Sequence, residues 1–141
     1  MSDISSAKNL LKEGKYTCVL CKEDKVYTSM LRGVAPMLGF INSGTDLKGF
    51  SAADKVVGKA VALLFIFAGL KEVYAEIISE AALKTLSNSG IQVSYNTVVN
   101  KIMNHAGTDS CPMEQVVEYI DDPQEAFEKV KIKLAAMQKK S

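Results

Sequence analysis

The chain has 141 residues, of which 48% are hydrophobic and 23% are charged, and its formal net charge is +1. This is the balance of one globular domain, and a charge so near zero excludes a long-range attraction of the whole molecule to nucleic acid. The longest apolar run, Ala60–Leu70, has eleven residues, whereas a membrane-spanning helix needs roughly 20. Three cysteines and an N-terminus without an apolar signal region predict a cytoplasmic protein.

Two hydrophobic patterns alternate along the chain. Apolar residues three and four positions apart predict helices, and short runs of β-branched and aromatic residues predict strands. Glycines or polar clusters mark where these elements end. In chain order the predicted elements are helix 4–13, strands 16–22 and 26–30, helix 33–44, strand 47–53, helix 55–68, strand 73–78, helix 80–89, strand 91–95 and two helices within residues 112–139, with Pro112 and Pro123 at their first positions.

The order of these elements predicts the fold class. The first two strands are joined by the tight polar loop Glu23–Lys25 and predict an antiparallel hairpin. The later strands alternate with helices, which predicts parallel neighbours with helical crossovers. We therefore expect a single α/β domain over residues 1–141, with a mixed sheet and the C-terminal helices 112–139 packed on it.

Asp54 and Lys55 lie where the pattern changes from strand to helix. Open α/β sheets bind ligands at the carboxyl ends of their strands, so this junction predicts a pocket. Lys59, one helical turn further on, would add positive charge toward an anionic or sugar ligand. Gly58, in the first turn, indicates a close approach by a ligand or another backbone. The alternative is that Asp54 only caps the helix.

Cys111 stands at a second helix start, before Pro112. Amide dipoles there favour a thiolate, so Cys111 is a candidate nucleophile or metal ligand, although Glu114 would oppose that effect if it lies close. His105 is the only histidine and would be a partner for the thiol. The alternative is that Cys111 is an inert capping residue.

Two residue pairs resemble site motifs. Ser79 and Glu80 open another helix, where Ser79 is expected to cap it and Glu80 would be an acid or base if this junction lines the same cleft as Asp54. Cys18 and Cys21 form a C-x-x-C. Because residues three apart in a strand point to opposite faces, these two cysteines are predicted to be packing residues and not ligands of one metal.

Three segments carry a family resemblance: Leu47–Ala68 (LKGFSAADKVVGKAVALLFIFA), Val73–Leu83 (VYAEIISEAAL) and Gly107–Glu114 (GTDSCPME). With ADKVVGKA and CPME as hallmarks, the chain resembles a prokaryotic domain family of unknown function with a cytidine-deaminase-like fold. The likeness runs through most of residues 7–120. It implies a three-layer α/β/α domain whose sheet has an N-terminal antiparallel hairpin followed by parallel strands.

The resemblance also implies the positions at which metal ligands would lie. Zinc deaminases have a His or Cys, followed two residues later by a Glu, at one helix start, and Pro-Cys-x-x-Cys at the next. This chain has Asp54–Val56 at the first position and Glu80–Lys84 at the second, so the usual ligands and the proton-shuttling Glu are missing. No metal or other cofactor is therefore expected. The alternative is an open zinc site formed by Asp54, His105 and Cys111.

The preferred functional prediction is a deaminase-like domain without zinc that binds a nucleotide-like or other small ligand. Its pocket would contain Asp54, Lys55 and Cys111 as candidate catalytic residues. If the domain is an enzyme, the reaction would proceed through the Cys111 thiol. One alternative is a metal-dependent nucleoside or base deaminase with a rearranged ligand set. Another is a non-catalytic interaction module that forms homo-oligomers. Its contact surface would be the apolar stripe on the last helix, Phe127, Val130, Leu134 and Met137.

Overall fold

A computed structural model describes residues 2–104, 107 and 111–139. Helices and strands alternate along most of this part of the chain, as the two hydrophobic patterns predict. The elements are α1 (Asp3–Glu13), β1 (Cys18–Lys22), β2 (Lys25–Ser29), α2 (Ala35–Asn42), β3 (Ser51–Val57), α3 (Lys59–Ala68), β4 (Glu72–Ser79), α4 (Glu80–Asn88), β5 (Gln92–Val99), α5 (Pro112–Val117) and α6 (Pro123–Lys139).

The strands form one mixed sheet in the order β2-β1-β3-β4-β5. A two-residue turn at Glu23 and Asp24 joins β1 to β2, and β1 is antiparallel to both of its neighbours. Strands β3, β4 and β5 are parallel and are linked through α3 and α4. The predicted combination of an antiparallel hairpin with later parallel strands is therefore confirmed.

Helices cover both faces of the sheet. On one face, α1 packs its buried Ala7 and Leu11 against β1, β3 and β4, next to Tyr74. On the other face lies the main core, with α3 at its centre, because every residue from Ala60 to Phe65 is buried. Helices α2, α4, α5 and α6 pack around α3. The predicted three-layer α/β/α arrangement is confirmed.

The junction between β3 and α3 lies several residues later than the sequence pattern predicts. Leu47–Phe50 forms a turn, in which the Phe50 N–H donates to the Leu47 carbonyl oxygen at 3.0 Å, so the strand cannot begin at residue 47. The strand instead continues to Val57, which pairs with Ile78. Helix α3 begins at Lys59. The prediction that Asp54 caps this helix is wrong, because Asp54 lies inside β3.

Helices α5 and α6 begin at Pro112 and Pro123, as the sequence predicts. The apolar stripe of α6 is largely used within the chain. Val130 is fully buried, and Phe127 stacks on Phe67 of α3 with ring centroids 5.0 Å apart. Met137, at the end of the stripe, is 41% exposed. In the part of the chain that the structure describes, no helix has both the length and the hydropathy to cross a membrane.

Candidate functional site

The first turn of α3 is capped by a side chain from α5. A helix start leaves backbone N–H groups without partners, and its N-cap here is Gly58, which has no side chain to offer them. Glu114 supplies the acceptors. Its Oε1 accepts the Lys59 N–H at 2.6 Å and its Oε2 accepts the Ala60 N–H at 2.9 Å. A carboxylate is favoured there because the amide dipoles make a helix N-terminus electropositive.

The close approach of Glu114 explains the glycine at position 58. A Cβ on Gly58 would lie 2.5 Å from Glu114 Oε1 and 2.6 Å from its Cδ, so any side chain at position 58 would have to displace the Glu114 carboxylate. Gly58 has a φ of −97°, so conformational freedom is not the reason for a glycine. The group that approaches Gly58 is thus a side chain of the same protein, where the sequence pattern suggested a ligand or a backbone.

Burial and hydrogen bonding act in opposite directions on Glu114. Burial raises the pKa of the Glu114 carboxyl above its ordinary value, while the two amide N–H groups and the Lys59 charge lower it. The Lys59 side chain points to the turn after α5. Its Nζ lies 3.2 Å from Asp121 Oδ1 and donates to the Glu118 carbonyl oxygen at 3.3 Å. Lys59 and Glu114 together therefore fasten α5 and the following turn to the start of α3.

Asp54 is part of a buried pair with Cys18. The two residues are register partners on β3 and β1, only 6% of Asp54 is exposed, and the Cys18 thiol hydrogen-bonds to the Asp54 carboxyl. Burial raises the pKa of Asp54 to about 8, although the Val56 N–H donates to its Oδ1 at 3.3 Å. Burial and the neighbouring Asp54 also raise the pKa of Cys18 well above its ordinary value. The next residue, Lys55, is exposed.

The C-x-x-C cysteines are packing residues, as predicted. Cys18 and Cys21 are each 1% exposed and belong to different core clusters, one on each side of the sheet. The sequence did not reveal that Cys18 would be the partner of Asp54. That pairing depends on β1 lying next to β3, and nothing in the local sequence specifies which strand is the neighbour of β1.

Cys111 lines a cavity of about 410 Å³ between β3, the start of α3, α5 and the end of α6. Cys111 itself is half-buried. Much of the wall is apolar, with Val56 and Val61 from the β3–α3 region. Three of the chain's six methionines also contribute to it: Met103, Met113 and Met137. The polar groups at the wall come from Arg32, Asn104, Cys111 and Glu114.

Of the other predicted site residues, Gly58 lines the same cavity as Cys111, and the rest lie elsewhere. Ser79 is 2% exposed and caps α4 by accepting the Ala82 N–H at 3.1 Å, and with Lys59 it lines a separate cavity of about 240 Å³. Glu114 lines this cavity as well as the larger one. Glu80 is exposed. Neither Asp54 nor Lys55 lines the cavity that contains Cys111. The catalytic roles proposed for Cys111, Asp54 and Lys55 stay predictions.

No three His, Cys, Asp or Glu side chains come together as metal ligands within residues 2–104, 107 and 111–139. His105 lies outside the described residues, so the alternative ligand set of Asp54, His105 and Cys111 is only partly visible. Of that set, Asp54 is hydrogen-bonded to Cys18. From the sequence, Glu114 was expected only to oppose a Cys111 thiolate, and its role as the cap of α3 was missed. A glycine just before the first helical residue would be the signal for this role, but the predicted helix began at Lys55, with Gly58 inside its first turn.

These features define a three-layer α/β domain with a small, largely apolar cavity at the carboxyl end of its third strand. The family model described as "TM1506: Domain of unknown function (DUF1893)" matches residues 6–134, and the chain therefore belongs to this DUF1893 family. The predicted resemblance to a family of unknown function is confirmed.

A solved structure of the same family agrees with this assignment. The crystal structure of a DUF1893 family protein from Thermotoga maritima is similar with a TM-score of 0.82 and 27% identity, over 92% of this chain and 87% of that one. A diaminohydroxyphosphoribosylaminopyrimidine deaminase/5-amino-6-(5-phosphoribosylamino)uracil reductase from Thermotoga maritima gives a TM-score of 0.43 and 18% identity, over 65% of this chain and 34% of that one. No functionally curated protein matches the sequence.

Proposed function

We propose that the chain is a small-molecule-binding domain whose ligand site is the cavity lined by Cys111. The observation that carries this proposal is the cavity itself. Its volume of about 410 Å³ is in the range of known ligand pockets, and a few polar groups interrupt a largely apolar wall, as in such pockets. It also lies at the carboxyl end of a parallel strand, where open α/β sheets bind their ligands.

The cavity wall favours an aromatic ligand with little charge. Methionine sulfur makes favourable contacts with aromatic rings, and Met103, Met113 and Met137 all line the cavity. Among the described residues of the wall, Arg32 is the one cationic residue, and Glu114 is an acidic one. A group with several negative charges would therefore meet an unfavourable carboxylate. A heteroaromatic ring with at most one anionic group, such as a nucleobase or nucleoside, fits this chemistry better than a nucleoside triphosphate.

Binding is better supported than a reaction through Cys111. A nucleophilic thiol needs a neighbouring base or a depressed pKa. The partner that the sequence offered for this thiol, His105, lies outside the described residues, and Asp54 is hydrogen-bonded to Cys18 instead. Glu114, which shares the cavity wall with Cys111, already accepts two backbone N–H groups. The proposal therefore gives Cys111 a place in the wall of the site and assigns no chemical step to it.

The methyl groups of the methionines allow a direct test. We would label them with ¹³C and record methyl spectra while adding cytidine, adenosine or cytidine monophosphate. The expected result is that Met103, Met113 and Met137 shift in the presence of a nucleoside, while Met30 and Met37, which are not in the cavity wall, do not. Unchanged spectra with all three compounds at millimolar concentration would overturn the proposal, as would equal shifts at all five methionines.

A pair of variants on α6 makes the test specific. Met137→Trp places a bulky ring at the cavity wall and is expected to abolish the nucleoside-induced shifts. Ile132→Trp puts the same ring on the same helix at a position that is 65% exposed and outside that wall, and is expected to leave the shifts unchanged. If both variants responded alike, the cavity would not be the binding site.

A further inference from the structure

Strand β5 forms an edge of the sheet, and its backbone is paired on one side only. It hydrogen-bonds to β4 along Gln92–Val99, and no other strand within residues 2–104, 107 and 111–139 pairs with it. In a paired strand, alternate residues direct their N–H and C=O groups to opposite sides, so half of the residues of β5 present these groups outward. Six of its eight residues are exposed. The strand thus offers a long row of backbone donors and acceptors.

The two edges of the same sheet differ in their protection against pairing. Natural proteins protect edge strands by making them short or by placing charges or prolines on them. Strand β2 follows this rule, since it has five residues and begins with Lys25 after the charged turn. Strand β5 has eight residues, QVSYNTVV, with neither a charge nor a proline. Large apolar side chains are exposed beside this edge, with Tyr95 at 45%, Ile77 at 38% and Val98 at 36%.

We propose that β5 pairs antiparallel with β5 of a second copy of this chain, which joins the two sheets across a twofold axis. Twofold dimers are the commonest symmetric assemblies, and a strand that pairs with itself meets no like charges when it carries none. The inference rests on the sheet edge and does not depend on the ligand cavity.

The charges at the two ends of β5 favour this partner. Lys101 follows the C-terminal end of the strand, and Glu72 of β4 is in register with Gln92 at the N-terminal end. Antiparallel pairing places Lys101 of one copy near Glu72 of the partner subunit, and the reverse contact forms by symmetry. Neither side chain forms an ion pair within the described part of its own chain. The two ends of the strand are therefore complementary in charge to a second copy.

The mass in solution tests the proposal. By sedimentation equilibrium or light scattering at micromolar concentrations, the protein is expected to have twice its chain mass of 15.3 kDa. Thr97→Lys puts a charge in the middle of β5 and is expected to give the mass of one chain. Thr28→Lys is the same substitution at an exposed site of β2, and this variant is expected to remain a dimer. Far-UV circular dichroism checks that both variants are folded.

A charge exchange tests the arrangement of the two strands. Lys101→Glu alone is expected to weaken the dimer at least several-fold, and adding Glu72→Lys is expected to restore it. If the wild-type protein were a monomer at every concentration, the proposal would be overturned. The edge would then be available to a strand of a different protein. The proposal would also be overturned if the Thr97→Lys variant were still a dimer, because the dimer contact would then lie elsewhere.

Discussion

Replacing Asp54 with asparagine is expected to make the protein more stable, by an amount that grows with pH. The folded-state pKa of Asp54 is raised from 3.8 to about 8 because the carboxyl is buried on the face of the sheet beside Cys18. This shift spans roughly four pH units, and each unit corresponds to about 1.4 kcal/mol, so ionising Asp54 in the folded protein costs on the order of 6 kcal/mol. Asparagine has a similar shape and no charge to bury.

The direction of the pH dependence follows from the raised pKa. The protonated Asp54 makes its full contribution to the free energy of unfolding only below its unfolded-state pKa near 3.8. This contribution is lost as the pH rises toward about 8. At about pH 4, the Asp54→Asn variant is therefore expected to have the same free energy of unfolding as the wild-type protein. Its advantage in the free energy of unfolding should increase through the neutral range and level off above about pH 8.

Urea unfolding of both proteins from about pH 4 to about pH 8 measures the effect. Groups that do not contact Asp54 are common to both proteins and cancel in the difference, and the Cys18 thiol, whose pKa is raised well above its ordinary value, stays protonated over this range. Asp24→Asn is a matched control, because Asp24 is exposed in the turn after β1 and its replacement removes a charge that is not buried. A difference for Asp54→Asn that does not grow with pH would refute the reasoning, since it would mean that the buried carboxyl is not held neutral in the folded protein.

Three further predictions concern the start of α3 and the cavity. Glu114→Gln leaves one of the two α3 N–H groups without a good acceptor, so urea unfolding should show a loss of about 1–2 kcal/mol, whereas Glu118→Gln, whose side chain makes no such contact, should change little. Gly58→Ala should cost about 2 kcal/mol by pushing away that carboxylate, and most of this cost should vanish in a Glu114→Ala background. If the two effects simply added, the close contact would not be their cause. Ellman's reagent should label one of the three thiols in the folded protein, and Cys111→Ser should remove that reaction, because the two thiols of β1 are buried.

The order of the elements was readable from the sequence, but the end of β3 was not. The periodic signals of helix and strand come from local spacing, which is why the hairpin and the starts of α5 and α6 were predicted. At Asp54–Val57 the local signals conflict, since the apolar stretch of α3 extends the helical pattern backward. Pairing with β1 and β4 decides the outcome in favour of a strand, and that pairing is a tertiary effect.

The candidate site was predictable only in part, because its main contact joins distant parts of the chain. Gly58 was correctly seen as a place of close approach, but the approaching group, Glu114, is 55 residues away from the amide it caps. Spacing along the sequence carries no information about such a distance. The predicted helix began at Lys55, where Asp54 could cap it, so nothing in the sequence indicated that the acceptor had to come from α5.

The separation of the three predicted catalytic residues determines which of them a ligand can meet. Asp54 is held in the core by Cys18, Lys55 is on the surface, and Cys111 is in the wall of the cavity. The electropositive start of α3, which would otherwise attract an anionic ligand, is already occupied by Glu114. A ligand in the cavity would therefore contact Cys111 and the methionines, next to a helix N-terminus whose N–H groups are already bonded to Glu114. This arrangement is why recognition should depend on aromatic contacts more than on negative charge.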